Sequence, residues 1–330
     1  MKKILILATG GTISSIKNEN GLVPENKKEI LKYINQDEFD FELTIKDILL
    51  LDSSNIQPEE WKLIATEVFS HIDEYDAIII THGTDTMAYT SSMLSFMLQN
   101  PNIPIIFTGS QLPISHPLTD AISNLKTAFT MALSNLNGIF LAFDRKIYLG
   151  CRAVKVRTSG FNAFESINYD CIAYIDSKGL NINYHLLPQK NNYLPSLNIS
   201  INTDVFLLKL TPTTPPKIID SLIKLGIRGL IIEAFGIGGI QHIRRDFVKF
   251  IEEAINNNIT VVMCSQCLYE KADFTVYEVG MKVLQKGIIE ALDMTSEACV
   301  TKLMWALGQS NNPNKIRSIF FKNIAGEISI

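Results

Sequence analysis

The sequence lacks most of the features that would place it in a specialised class. Its 330 residues include only 5 cysteines, 5 histidines and 2 tryptophans, and no run of lysine or arginine. An odd set of cysteines (Cys151, Cys171, Cys264, Cys267 and Cys299) in so long a chain excludes a disulfide-built scaffold and reads as reduced thiols in a cytoplasmic protein. Cys264 and Cys267 form one C-x-x-C, but there is no second pair and no neighbouring histidine. A zinc site is therefore not expected, and the pair reads as the end of the strand Ile259–Met263. No apolar stretch reaches the ~20 residues of a membrane helix. The run Ile4–Ala8 is too short for a signal-peptide core and no small-x-small site follows it, so it reads as a buried first strand. With Lys plus Arg at 30, Asp plus Glu at 34 and a net charge of −4, neither nucleic acid nor an anionic membrane is an expected partner. Glycine (18) and proline (12) are too few for a collagen-like or low-complexity chain.

What is present is an alternation. Short apolar runs (Lys3–Ala8, Leu43–Leu50, Ala77–Thr81, Ile103–Thr108, Gly138–Phe143) are separated by amphipathic segments at Lys27–Asn35, Glu59–His71, Thr86–Gln99 and Ala121–Ser134. Strands alternating with helices predict a mostly parallel sheet covered on both faces. Residues 184–202, rich in Asn, Pro, Tyr and Leu and without helical period, read as a linker between a domain over 1–183 and a second over 203–330. The alternation resumes there with Val205–Leu210, Pro216–Leu225, Gly229–Glu233, Gln241–Asn256, Ile259–Met263 and Ser296–Leu307. The expected fold is two α/β domains, a larger N-terminal mostly parallel sheet flanked by helices and a smaller C-terminal α/β domain. Gly236-Ile237-Gly238-Gly239 lacks the spacing of a dinucleotide loop and reads as a turn at a helix start.

Four segments carry chemistry. Thr9-Gly10-Gly11-Thr12-Ile13 follows the first strand, where two glycines permit a sharp turn at a sheet's carboxyl end. His82-Gly83-Thr84-Asp85-Thr86 follows another strand and precedes a helix. One Thr or Asp there is ordinary capping, whereas Thr-Asp-Thr after Gly exceeds what a cap needs. Asp52-Ser53-Ser54-Asn55 offers short hydroxyls and amides suited to a small carboxylate, or to a capped loop. Lys155 stands alone in a mainly apolar run, as a buried base would, although a solvated lysine between Arg152 and Arg157 is the commoner arrangement. None of the histidines makes a metal pair at helical spacing, and no G-x-S-x-G elbow occurs.

Together these segments resemble the bacterial-type L-asparaginase family, and its type I (cytoplasmic and archaeal-like) branch most closely. The two signature motifs are Thr9–Ile13 and His82–Met87; supporting stretches are Met87–Leu98, Thr108–Pro113, Ala163–Tyr169 and Met294–Ala298. The resemblance covers nearly the whole chain. It implies hydrolysis of L-asparagine to L-aspartate and ammonia without metal or cofactor, by a homo-oligomer (dimer or tetramer). By the same resemblance Thr12 is the nucleophile and Thr84 the second essential threonine, with Lys155 as its partner. Asp85 binds the substrate α-ammonium, Ser53 its α-carboxylate, and Ser54, Gly83 and Ser110 complete the substrate contacts.

Three positions depart from the family. Leu22, in Asn20-Gly21-Leu22-Val23-Pro24, stands where members carry a tyrosine on a loop that closes over the substrate. It leaves an amino-acid-binding protein with weak or lost turnover as the alternative reading. Ser54 stands where secreted members have a glutamine. Cys267 matches the cysteine of an activator site found in some members, but Glu233 replaces its arginine, so that regulation is not expected. The asparaginase-like component of an archaeal tRNA amidotransferase is a further alternative, disfavoured because that component carries a domain ahead of its first motif.

Overall fold

The computed structural model describes residues 1–18, 21–24, 33, 41–188 and 193–329. They form two compact units, Met1–Ile199 and Ser200–Ile330.

The first unit contains β1 (Lys2–Gly10), β2 (Ser15–Asn18), β3 (Gly21–Pro24), β4 (Phe41–Leu51), α1 (Pro58–His71), β5 (Ala77–Thr81), α2 (Met87–Met97), β6 (Leu98–Gln99), β7 (Pro104–Thr108), α3 (Ala121–Ala132), β8 (Gly138–Phe143), β9 (Lys146–Leu149), β10 (Ala153–Lys155), β11 (Phe164–Ser166), β12 (Ala173–Asp176), β13 (Gly179–Ile182) and β14 (Ser196–Leu197). Eight strands make the main sheet in the order β13-β12-β9-β8-β7-β5-β1-β4. From β4 to β8 neighbours are parallel. Beyond β8 they are antiparallel. The uninterrupted apolar runs of β1 and β5 follow from burial on both faces: Ile4–Leu7 and Ile78–Ile80 are all buried, each fully covered Ile or Leu contributing roughly 1.5–3 kcal/mol. Helix α3 buries Leu125, Ala128 and Phe129, and Phe129 stacks on Phe41 with ring centroids 4.9 Å apart. The run Ile4–Ala8 is thus an inner strand of this sheet.

The five strands and three of the four helices expected in this half are present, with ends moved by a few residues. The helix expected over Lys27–Asn35 lies outside the described residues except at Tyr33, which is helical. The antiparallel edge β9, β12, β13 is new, built from strands of four residues with little alternation to mark them. Residues 184–202, expected as a linker, carry a one-turn 3₁₀ helix at Tyr184–Leu186 and strand β14, whose Leu197 pairs with Leu98. The first unit therefore extends to Ile199.

The second unit holds a parallel sheet of β15 (Val205–Lys209), β16 (Gly229–Ala234), β17 (Thr260–Ser265) and β18 (Ile289–Glu290), in that spatial order. Its helices are α4 (Ile218–Lys224), α5 (Phe247–Asn256), α6 (Glu278–Lys286), α7 (Ser296–Gln309) and α8 (Pro313–Phe321). Ile232, Phe247, Ile251, Val261, Met263 and Val283 meet in its core. One boundary needs correcting: the helix expected from Gln241 starts at Phe247. Asp246 is the cap, its carboxylate accepting the Val248 and Lys249 N–H groups, so Gly236–Gly239 is a strand-end turn rather than a helix start. All five cysteines are free thiols. Among the described residues, no helix is long and apolar enough to cross a membrane.

Candidate active site

Four parallel strands end along one rim. Gly10 pairs with Leu51, Ala8 with Thr81, and Thr81 with Thr108, which brings the turns after β1, β4, β5 and β7 side by side. Strand β1 lies between β4 and β5, so the chain leaves it to one side and returns on the other. In open α/β sheets that reversal opens a crevice at the carboxyl ends, where ligands bind.

Glycines let these turns touch. Gly11 has φ +78°, and a Cβ there would sit 2.4 Å from the Gly83 nitrogen, so only glycine fits on both counts. A Cβ on Gly83 would meet Ser53 Oγ at 2.6 Å. The two signature turns are thereby packed backbone to backbone, with the Ser53 loop against the second.

On the second turn, Thr84 is 6% exposed and its hydroxyl accepts a hydrogen bond from Lys155 Nζ at 2.7 Å. The same Nζ reaches Asp85 Oδ1 at 2.6 Å, so one ammonium joins the threonine and the carboxylate. Lys155 is itself only 17% exposed, whereas Asp85 is 63% exposed and opens outward. β10 and β11 project Lys155 to this point by pairing it with Phe164. Neither Thr84 nor Asp85 caps α2, and the Thr86 side chain donates instead to Ser53 O at 2.7 Å. Ser53 Oγ, buried, accepts the Asp85 N–H at 3.2 Å. Thr12, half-buried, opens the 3₁₀ turn after Gly11, and its hydroxyl makes no hydrogen bond among the described residues.

The remaining expected residues hold neighbouring turns. The Ser54 hydroxyl and N–H both donate to Asp52, which pulls the Asp52 carboxyl below its usual range, with a smaller contribution from the Lys155 charge. Ser110 is buried, its hydroxyl donating to Leu112 O. Backbone pairing places Leu22 opposite Lys17 in the β2–β3 hairpin.

Three supporting residues were given no role by the sequence, although His82 and Gln111 lie inside the quoted motifs His82–Met87 and Thr108–Pro113. His82 is fully buried: its Nδ1–H donates to Gly83 O at 2.7 Å, its Nε2 accepts from Thr90 Oγ1 at 2.9 Å, and Trp61 Nε1 donates to the same Thr90 oxygen at 3.1 Å. The carbonyl can only accept, which sets this tautomer. Burial pushes the imidazole down to about 4, so it is neutral at physiological pH. Gln111 accepts the Thr84 hydroxyl proton at 3.2 Å. Asp120 accepts the Gln111 and Leu112 N–H groups and the Asn124 amide. Their signal was only a polar residue directly after an apolar strand or ahead of a helix, a pattern shared by ordinary turns.

A doubly covered parallel sheet thus carries two interlocked threonine turns, with a lysine between hydroxyl and carboxylate, as a candidate site for hydroxyl-based chemistry. The matching family models are "Asparaginase, N-terminal" over residues 3–188 and "Glutaminase/Asparaginase C-terminal domain" over 204–320. The chain is 45% identical over 329 residues, 99% of each, to an L-asparaginase of Thermococcus kodakarensis. The solved thermostable L-asparaginase of that organism superposes with a TM-score of 0.94 at 44% identity, covering 99% of both chains. A Glutamyl-tRNA(Gln) amidotransferase component from Methanosphaera stadtmanae is 35% identical over 99% of this chain and 77% of its own length. The chain belongs to the asparaginase family.

Proposed function

We propose that this protein hydrolyses the side-chain amide of L-asparagine, giving L-aspartate and ammonia, with Thr12 as nucleophile. The observation that carries the reading is Lys155 Nζ held between Thr84 Oγ1 and Asp85 Oδ1 beside a turn that presents an uncommitted Thr12 hydroxyl. A threonine hydroxyl attacks poorly until a base takes its proton. The joined set of Thr84, Lys155 and Asp85 is placed to take up that proton, and the Thr12 oxygen then bonds to the amide carbon. The proton returns to the departing nitrogen, the C–N bond breaks and ammonia leaves. Water next adds to the ester, its proton takes the same route, and aspartate and the Thr12 hydroxyl are regenerated. Asp85, exposed toward the crevice, is suited to the substrate ammonium as well as to Lys155. Ser53 supports the α-carboxylate contact, with Ser54, Gly83 and Ser110 shaping the turns around it.

Support for asparagine comes from the 45% identical L-asparaginase and from the motifs themselves. We further infer a cytoplasmic homo-oligomer, dimer or tetramer, from the same family resemblance; sedimentation equilibrium tests the assembly. The test of function is ammonia release by the purified protein with L-asparagine and then L-glutamine. A snug pocket discriminates one methylene by roughly 1–3 kcal/mol, so asparagine should be preferred about 10- to 200-fold. Comparable specificity constants for the two amides would overturn the assignment of substrate.

A further inference from the structure

We propose that Gln111 is a positioning residue that sets the direction of the Thr84 hydroxyl; the proposal rests on the reading of Thr84 and Lys155 given above. Three hydrogen bonds determine the orientation of the Gln111 amide. Nε2 donates to Thr158 O at 3.2 Å and to Gly160 O at 3.1 Å, and Oε1 accepts from Thr84 Oγ1 at 3.2 Å. Turning the amide over would aim its oxygen at two carbonyls, which have no proton to give. The acceptor end is therefore committed to Thr84.

The consequence falls on a rotor. A hydroxyl has one proton and two lone pairs and turns to suit its neighbours. With the proton on Gln111, one lone pair of Thr84 meets the Lys155 ammonium at 2.7 Å and the other is left for the crevice. Without Gln111, that proton is free to swing toward the crevice, and the lone pair that faces Thr12 is no longer held there.

Gln111 is itself anchored from behind. Its N–H and that of Leu112 point at the Asp120 carboxylate, 3.0–3.2 Å away. Asn124 ties that carboxylate to Gly109 O, at 3.0 and 2.9 Å. The amide also links two loops, the one after β7 that carries Gln111 and the one after β10 that follows Lys155. Thr84, Lys155 and their spacing are thus held from two loops at once, and small misplacements of reacting groups cost up to about 10²-fold in rate.

Two variants and two readouts test this. Gln111→Met keeps length and volume while removing both ends of the amide. It should lower kcat on the order of 10- to 100-fold with KM changed less than about 3-fold, and leave the circular dichroism spectrum unaltered. Gln111→Glu places a carboxylate against the Thr158 and Gly160 carbonyls. Protonated, it regains a donor for them while keeping an acceptor for Thr84, so the ratio of its kcat to that of wild type should climb as pH falls through the carboxyl range. A purely structural role would move stability without producing that pH-dependent recovery. The second readout needs no turnover: in a thermal-stability cycle of Thr84→Val, Gln111→Met and the double variant, the combined loss of Tm should be smaller than the sum of the single losses. Wild type that releases no ammonia would refute the proposed function while the cycle still decides the Thr84–Gln111 coupling. Active wild type with an unchanged kcat in Gln111→Met, a flat Gln111→Glu ratio, or additive Tm losses would overturn the inference.

Discussion

Acid should loosen the active-site turn through His82, and the size of the effect follows from its burial. The ring is 0% exposed, and burial lowers it from 6.5 to about 4. The folded state therefore refuses a proton that the unfolded state accepts. Above pH 6.5 neither state is charged and nothing is lost. As pH falls from 6.5 toward 4, the unfolded state gains a proton first and stability declines; below about 4 both are charged and the loss is complete. At pH 4.5 protonation of the unfolded state far outweighs that of the folded state, a net loss on the order of 2–3 kcal/mol relative to pH 7.5. His82→Asn keeps an N–H near Gly83 O but has nothing to titrate. Carboxylates elsewhere contribute equally to both proteins, so the difference between their pH dependences isolates the imidazole. The chain has 2 tryptophans, and Trp61 donates to the same Thr90 that serves His82. A Trp305→Phe background therefore makes fluorescence report on the first unit during urea unfolding at pH 7.5 and 4.5. Wild type should lose on the order of 2–3 kcal/mol more than His82→Asn between the two. Equal losses would show that the imidazole is not held neutral, and the argument from its burial would fail.

Thr12→Ala and Thr84→Ala should each reduce ammonia release by at least roughly 10²–10⁴-fold with the fold intact, and the double variant should lose far less than the product of the two, because groups acting as one unit are non-additive. Multiplying losses would count against a shared mechanism. Leu22→Tyr should raise kcat about 10-fold if a hydroxyl worth ~1.4 kcal/mol in the transition state is restored, read by steady-state kinetics; a fast wild type with no gain would remove Leu22 as a deficit. Glu297, at the start of α7, is pushed up to about 7 by burial and by the nearby Glu233 charge. Its folded form keeps a proton that the unfolded form sheds above about 4.5, so stability falls as pH rises from 4.5 to 7; Glu297→Gln should abolish a decline on the order of 2 kcal/mol between pH 5 and 8 in urea titrations.

The alternation of apolar runs and amphipathic segments determined the class of fold, because a strand buried on both faces must be apolar throughout and a helix covering it must be apolar on one side. Ala77–Thr81 and Gly138–Phe143 were legible for that reason, to within a residue or two. The short antiparallel strands β9, β12 and β13 were not: four residues hold too little pattern to outweigh turn readings. Helix α5 was misplaced at its start because residues 241–245 continue its polar character, and only the Asp246 side chain, bonded to two N–H groups, marks the real cap. The threonine turns and the lone Lys155 were visible as residue types at strand ends. What brought them together was pairing between strands far apart in sequence, since Lys155 meets Thr84 across 71 positions. His82, Gln111 and Asp120 make the same point more sharply. None of them had a visible task, even where His82 and Gln111 stood inside quoted motifs, until the tertiary structure aimed each at a particular carbonyl, hydroxyl or N–H, and hydrogen-bond direction is a property of three-dimensional placement that one-dimensional spacing does not carry.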